Sequence, residues 1–71
     1  MTQCERVIDH IRRFGSITTA EAFYDLGIAR LASRIWDLKQ EGYEFEEETV
    51  RDKNRFGETV HFKRYTLKED K

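Results

Sequence analysis

The sequence predicts an α+β fold: three short helices followed by a C-terminal two-stranded β-hairpin. Three observations carry this expectation. Apolar residues recur at three- and four-residue steps as far as Leu38, the period of helices that bury one face. Four glycines, Gly15, Gly27, Gly42 and Gly57, fall between the periodic segments, and with no proline in the chain they must supply the stops and turns. Beyond Gly42 the composition shifts to Thr, Val, Phe and Tyr, with alternation clearest around Val60 and Phe62, which is a strand pattern.

In the first segment Cys4, Val7, Ile8, Ile11 and Phe14 form the stripe of an amphipathic helix that ends at Gly15. The second, "SITTAEAFYDLG", offers Thr18 as N-cap with Glu21 three residues later. This is a capping box, in which each side chain satisfies an orphan backbone N–H. Ala22, Phe23 and Leu26 give that helix a short apolar face, and Gly27 stops it. The third, "IARLASRIWDLKQEG", reads as a helix from Ile28, with Ile28, Leu31, Ile35 and Leu38 on its buried side and Gly42 past its end. The strands "YEFEEETVR" and "TVHFKRYTL" flank the polar loop "DKNRFGE". Val50 is out of phase with Phe45, and Phe62 with Tyr65, which predicts a bulge or kink.

Composition narrows the function classes. A 71-residue chain makes one domain, and one this small buries only about 60% of its unfolded surface. No apolar run is long enough to span a membrane, and no basic start with an apolar middle marks a signal peptide. Cys4 is the single cysteine and has no internal partner, which fits a reducing compartment and a cytoplasmic location. His10 and His61 lack Cys or carboxylate neighbours at ligand spacing, so both read as surface residues, one on a helix and one on a strand. No phosphate-cradling glycine loop and no nucleophile motif occurs. The expectation is a non-enzymatic chain with no cofactor, no metal and no small-molecule substrate.

The third helix and the hairpin carry the binding chemistry. Opposite its buried side the helix presents Ala29, Arg30, Ser33, Trp36, Asp37 and Gln40, with Arg34 and Lys39 on the two flanks. Small residues permit close approach to a groove, Arg pairs bidentately with guanine, and Ser reads several bases, so Ala29, Arg30, Ser33 and Arg34 form a candidate base-reading set. Exposed helix faces also carry such residues without binding anything. Asp37 is placed to orient Arg34 or Arg30. Charge is segregated beneath a net value of −1. Glu44, Glu46, Glu47 and Glu48 crowd the hairpin root, whereas Arg51, Lys53, Arg55, Lys63, Arg64 and Lys68 outnumber Asp52 and Glu58 beyond it. Lys53, Asn54 and Arg55 lie at the tip, where cations and an amide donor suit phosphates. A charged edge that resists aggregation is the alternative reading of the same residues. For Trp36 the expected place is under the wing, the other being an anchor for a dimer or a second protein.

Three helices and a hairpin, with a glycine-bounded link before the third helix, is the order of a winged helix-turn-helix domain. The pieces "QCERVIDHI", "GSITTAEA", "LGIARLASRI.DL", "GY", "NRFG" and "RYTL" resemble the small helix-turn-helix proteins widespread in phages and prophages, and they cover nearly the whole chain. The resemblance implies a winged-helix-like DNA-binding domain; the domain is expected to cover residues 1–68, and the charged tail at 69–71 is expected to fray. The resemblance also implies that "IARLASRI" is the recognition helix and "NRFG" the wing. The function expected is sequence-directed binding to double-stranded DNA by a small transcriptional regulator, working as a homodimer or with a protein partner. The alternative is a winged helix that docks protein through Trp36, Glu46 and Glu48, since fold does not fix function.

Overall fold

Local signals dictate most of the architecture seen in the computed structural model, which describes residues 1–68. The tail expected to fray, residues 69–71, lies outside the described residues. Helix α1 (Gln3–Phe14) buries Val7, Ile8 and Ile11. It opens with a capping box that the apolar period does not announce: the Glu5 N–H donates to Thr2 Oγ1 at 3.1 Å and the Thr2 N–H donates to Glu5 Oε1 at 2.8 Å. A two-residue strand, β1 (Ile17–Thr18), leads into α2 (Thr19–Leu26). The Thr18–Glu21 capping box forms as expected, with the Glu21 N–H donating to Thr18 Oγ1 at 3.1 Å and the Thr18 N–H to Glu21 Oε1 at 2.9 Å.

Helix α3 spans Leu31–Gln40 and so begins later than Ile28. Gly27 takes the left-handed region at φ 70°, and the Ile28 N–H donates to the Ala22 carbonyl at 2.9 Å. These residues therefore finish α2 rather than start α3, and Ile28 fills the core from the turn. Arg30 becomes the N-cap of α3, its carbonyl accepting from the N–H groups of Ser33 and Arg34 at 3.1 and 3.3 Å.

The hairpin consists of β2 (Glu44–Lys53) and β3 (Thr59–Lys68). The sheet has three strands, not the expected two, in the antiparallel order β1-β3-β2. Ile17 pairs with Tyr65 and Thr18 with Arg64. A two-residue strand is too short to show a period, yet fully buried Ile17 beside Tyr65 closes the core on the hairpin.

The expected bulge is absent among the described residues. β2 and β3 pair in one unbroken register from Glu44↔Lys68 to Lys53↔Thr59. What changes along the hairpin is the apolar face. Phe45, Tyr65 and Leu67 turn toward the helices, where they join the core. Val50 and Phe62 pair directly with each other on the opposite face, next to Val60. Past the helices neither face is covered, so nothing holds the apolar residues to one side.

The core unites Val7, Ile8, Ile11, Ile17, Ala22, Ile28, Leu31, Ile35, Leu38 and Tyr65. His10 is also buried, at 5% exposed, and the expectation of a helix-surface histidine is corrected. It stands three residues after Val7 and four before Phe14, on the apolar stripe, and its ring lies 4.7 Å from that of Phe14. Its Nε2 makes no hydrogen bond and lies 3.6 Å from Glu21 Oε1. His61 is exposed. Among the described residues no helix is long and apolar enough to cross a membrane.

Candidate nucleic-acid interface

The core side of α3 is set by Leu31, Ile35 and Leu38, which are buried. At about 100° per residue, Ser33, Trp36 and Gln40 then point outward. Trp36 is 61% exposed and does not tuck under the wing. Ala29 and Arg30 are exposed in the turn ahead of the helix rather than on it. Arg30 forms no ion pair among the described residues, so its guanidinium is available at the helix N-terminus.

Arg34 lies on the flank nearest α1. Its Nη2 sits 3.1 Å from Asp37 Oδ2, which is the orienting contact expected from their spacing. Its Nε is buried without a hydrogen-bond partner. The Cys4 thiol reaches the Arg34 carbonyl at 4.0 Å. Burial, and after it the negative Asp37, pushes the Cys4 thiol above its ordinary value.

On the other flank Lys39 faces β2. Its Nζ lies 3.1 Å from Glu47 Oε2, and Lys63 Nζ lies 3.3 Å from Glu47 Oε1. The two ammonium groups, Lys39 first, hold the Glu47 carboxyl below its ordinary value. Lys39 and Glu47 belong to different elements, and no periodic signal joins them.

Strand alternation sorts the remaining charges. Successive side chains leave opposite faces of a strand, and directly paired residues share a face. Tyr65 is in the core, so its partner Glu47 lies on the helix side, and Thr49, Lys63, Arg51, His61, Lys53 and Thr59 follow in phase. The Lys39–Glu47 contact places α3 on this same side. Glu44, Glu46, Glu48 and Asp52 leave the opposite face, where Glu48 Oε1 accepts from Arg64 Nε at 2.9 Å. Three of the four glutamates in the run are thus turned away from the helices, and the fourth is bracketed by two lysines. Trp36 stands on the helix side and Glu46 and Glu48 on the other, so β2 divides the residues that a protein-docking face would have to unite.

At the hairpin tip Lys53 and Arg55 are exposed and form no ion pair among the described residues. Asn54 is committed to the turn. Its Oδ1 accepts from the N–H groups of Phe56 and Glu58 at 2.9 and 3.1 Å, and its Nδ2 donates to Glu58 Oε1 at 3.1 Å. An Asn side chain folded onto its own backbone shapes a turn and leaves little for a ligand. Among the described residues no group of three or more His, Cys, Asp and Glu is placed to hold a metal ion.

The arrangement is a groove-sized helix with free polar residues on its outer side, flanked by a hairpin whose helix-side face is basic. No curated protein and no solved structure matches the chain. A family of winged helix-turn-helix domains does match, over residues 2–70, and the chain belongs to that family.

Proposed function

We propose that this chain binds double-stranded DNA in a sequence-directed way, with α3 in the major groove and the wing along the backbone. One observation carries the reading: Arg51, Lys53 and Lys63 share the α3 side of the hairpin, while Glu44, Glu46 and Glu48 leave the other side. A near-neutral chain can thereby offer DNA a positive face. Ala29, Arg30, Ser33 and Arg34 approach the bases, Arg34 once it exchanges Asp37 for a base edge. Lys53 and Arg55 meet phosphates, and Asn54 serves by holding the turn between them. The proposed role is that of a small transcriptional regulator of phage or prophage type, in the cytoplasm of a bacterial or phage-infected cell. The resemblance of "GSITTAEA" and "LGIARLASRI.DL" to that group supports it. The chain is a binding module and not an enzyme. A single module buries roughly 600–1,000 Å² on DNA, so a second copy or a protein partner supplies the remaining affinity.

Fluorescence anisotropy with duplex DNA across a salt series tests the reading. If about five cations reach phosphates, log affinity falls with log salt at a slope of about −4 to −5. Arg30→Ala should cost about 1–3 kcal/mol on the preferred site and flatten discrimination at one base pair. No duplex binding at low ionic strength, or binding indifferent to salt, defeats the proposal.

The exposure of Trp36 favours a second reading, a protein-docking winged helix. It predicts a partner whose capture survives nuclease and is lost in Trp36→Ala but not in Glu46→Gln or Glu48→Gln, because β2 separates those carboxylates from the indole.

A further inference from the structure

The hairpin ends in an aromatic ring where small polar residues are the norm. Phe56 is 79% exposed at the tip, farthest from the core. The turn beneath it is held from both sides. Besides the three Asn54 side-chain hydrogen bonds, the Asn54 N–H donates to the Glu58 carbonyl and the Gly57 N–H to the Asn54 carbonyl, both at 3.0 Å. Gly57 completes the turn at φ 79°, a region that suits glycine. The Phe56 amide is itself tied to Asn54 Oδ1, so the ring is carried on a fixed backbone rather than a loose loop. Next to it, the Arg55 guanidinium lies 6.0 Å from the ring centroid.

We propose that this tip is a wedge: Phe56 enters the DNA minor groove beside Arg55, partly unstacks one base step and bends the duplex. The inference rests on the proposed DNA binding and refines it at the tip, where Arg55 follows the ring into the groove and Lys53 stays on the phosphates. An occupant for this tip must offer a flat apolar slot with dense negative charge around it. A base step lined by phosphates offers both, and the minor groove attracts arginine most where it is narrow. A turn with a fixed backbone suits the task, since the segment that carries the ring needs no ordering on insertion and only the side-chain torsions are restricted. Pyrimidine–purine steps unstack most easily, so the wedge selects them at a position the recognition helix never touches.

The test measures the bend and the affinity of the full chain on one duplex. End-to-end energy transfer reports the bend, and 2-aminopurine at the contacted step reports unstacking. The wild type should bend the duplex by about 20–90° and raise the 2-aminopurine emission. Phe56→Ala changes only an exposed side chain, so it should fold normally and bind within about tenfold of wild type, because lost unstacking cost offsets lost contact. Its complex should be straight and its 2-aminopurine silent. An unbent wild-type complex, or a Phe56→Ala complex bent as much as wild type, overturns the wedge and leaves the proposed DNA binding standing. Phe56-dependent binding to phosphatidylserine vesicles together with an unbent DNA complex also overturns it, placing the ring in a lipid surface instead. Absence of any salt-dependent duplex binding by the wild type overturns both.

Discussion

Glu47 is the one acidic residue of the run on the α3 side, and its replacement by glutamine is expected to tighten DNA binding. The carboxylate engages Lys39 and Lys63 at 3.1 and 3.3 Å, so two cations on the proposed DNA face are occupied by the protein itself. All three side chains are more than a third exposed, at 37%, 41% and 52%. Each pair is therefore worth about 0.2–1 kcal/mol to stability, and Glu47→Gln should remain folded with a small loss. Two freed ammonium groups that reach phosphates steepen the log affinity–log salt slope by about 1.8, which is one to two orders of magnitude at about 0.1 M salt. Anisotropy titrations of Glu47→Gln at several KCl concentrations read both quantities. Glu46→Gln is the control: it changes net charge equally but lies on the far face, so its slope should match wild type. An unchanged slope in Glu47→Gln, or equal effects in both variants, refutes the reasoning that the sheet sorts these charges. The same contact sets a pH dependence. Glu47 is held below its ordinary value of 4.5, so its contribution to stability is present above that value and is lost as pH falls through the lowered one.

Other outcomes concern the core and its edges. Ile17→Ala should cost about 2–5 kcal/mol in chemical denaturation, because it empties a fully buried site and uncouples β1 from β3; a surface-sized loss would mean that β1 does not close the core. Thr18→Ala removes one half of the α2 capping box and should lower stability by about 0.5–2 kcal/mol in the same assay. His10→Leu keeps the ring site apolar and removes an Nε2 without a hydrogen bond, so it should change stability by under about 1 kcal/mol in either direction; a larger loss would show that the nearby Glu21 carboxylate holds the imidazole. Cys4 has a raised thiol value, so iodoacetamide at pH 8 should label it more slowly than a free cysteine peptide, the gap closing once the chain is unfolded.

The parts of this fold legible in the sequence are those whose cause is local. Thr18 with Glu21 is a signal spanning four residues, and the structure answers it with both hydrogen bonds. Gly15 and Gly27 announce the ends of two helices for the same reason. Ile17 escapes notice because a strand of two residues has no period, and its partner Tyr65 is most of the chain away. The chemistry of His10 suggests a surface, although its spacing from Val7 and Phe14 already puts it on the buried stripe. A bulge is expected only if one face of the hairpin stays apolar throughout; Val50 and Phe62 break phase because the helices stop short of them. At the candidate site Asp37 beside Arg34 is legible at a spacing of three. The separation of Glu47 from Glu44, Glu46 and Glu48 is also present in the sequence, once Phe45 is taken as facing inward. The commitment of Asn54 to its own turn needs the loop conformation, which residue types alone do not specify.

The strand order carries a consequence for how the chain reaches this structure. β3 is made last and lies in the middle, between β1 and β2. A chain still emerging from a ribosome can coil its three helices early, since those contacts are close in sequence, yet Ile17 stays uncovered until Tyr65 arrives. Closing that loop imposes an entropic cost on folding that contacts among the helices lower only in part. The domain should therefore fold in one late step, and any break in synthesis before position 64 leaves β1 without a neighbour and β2 paired only near the hairpin tip.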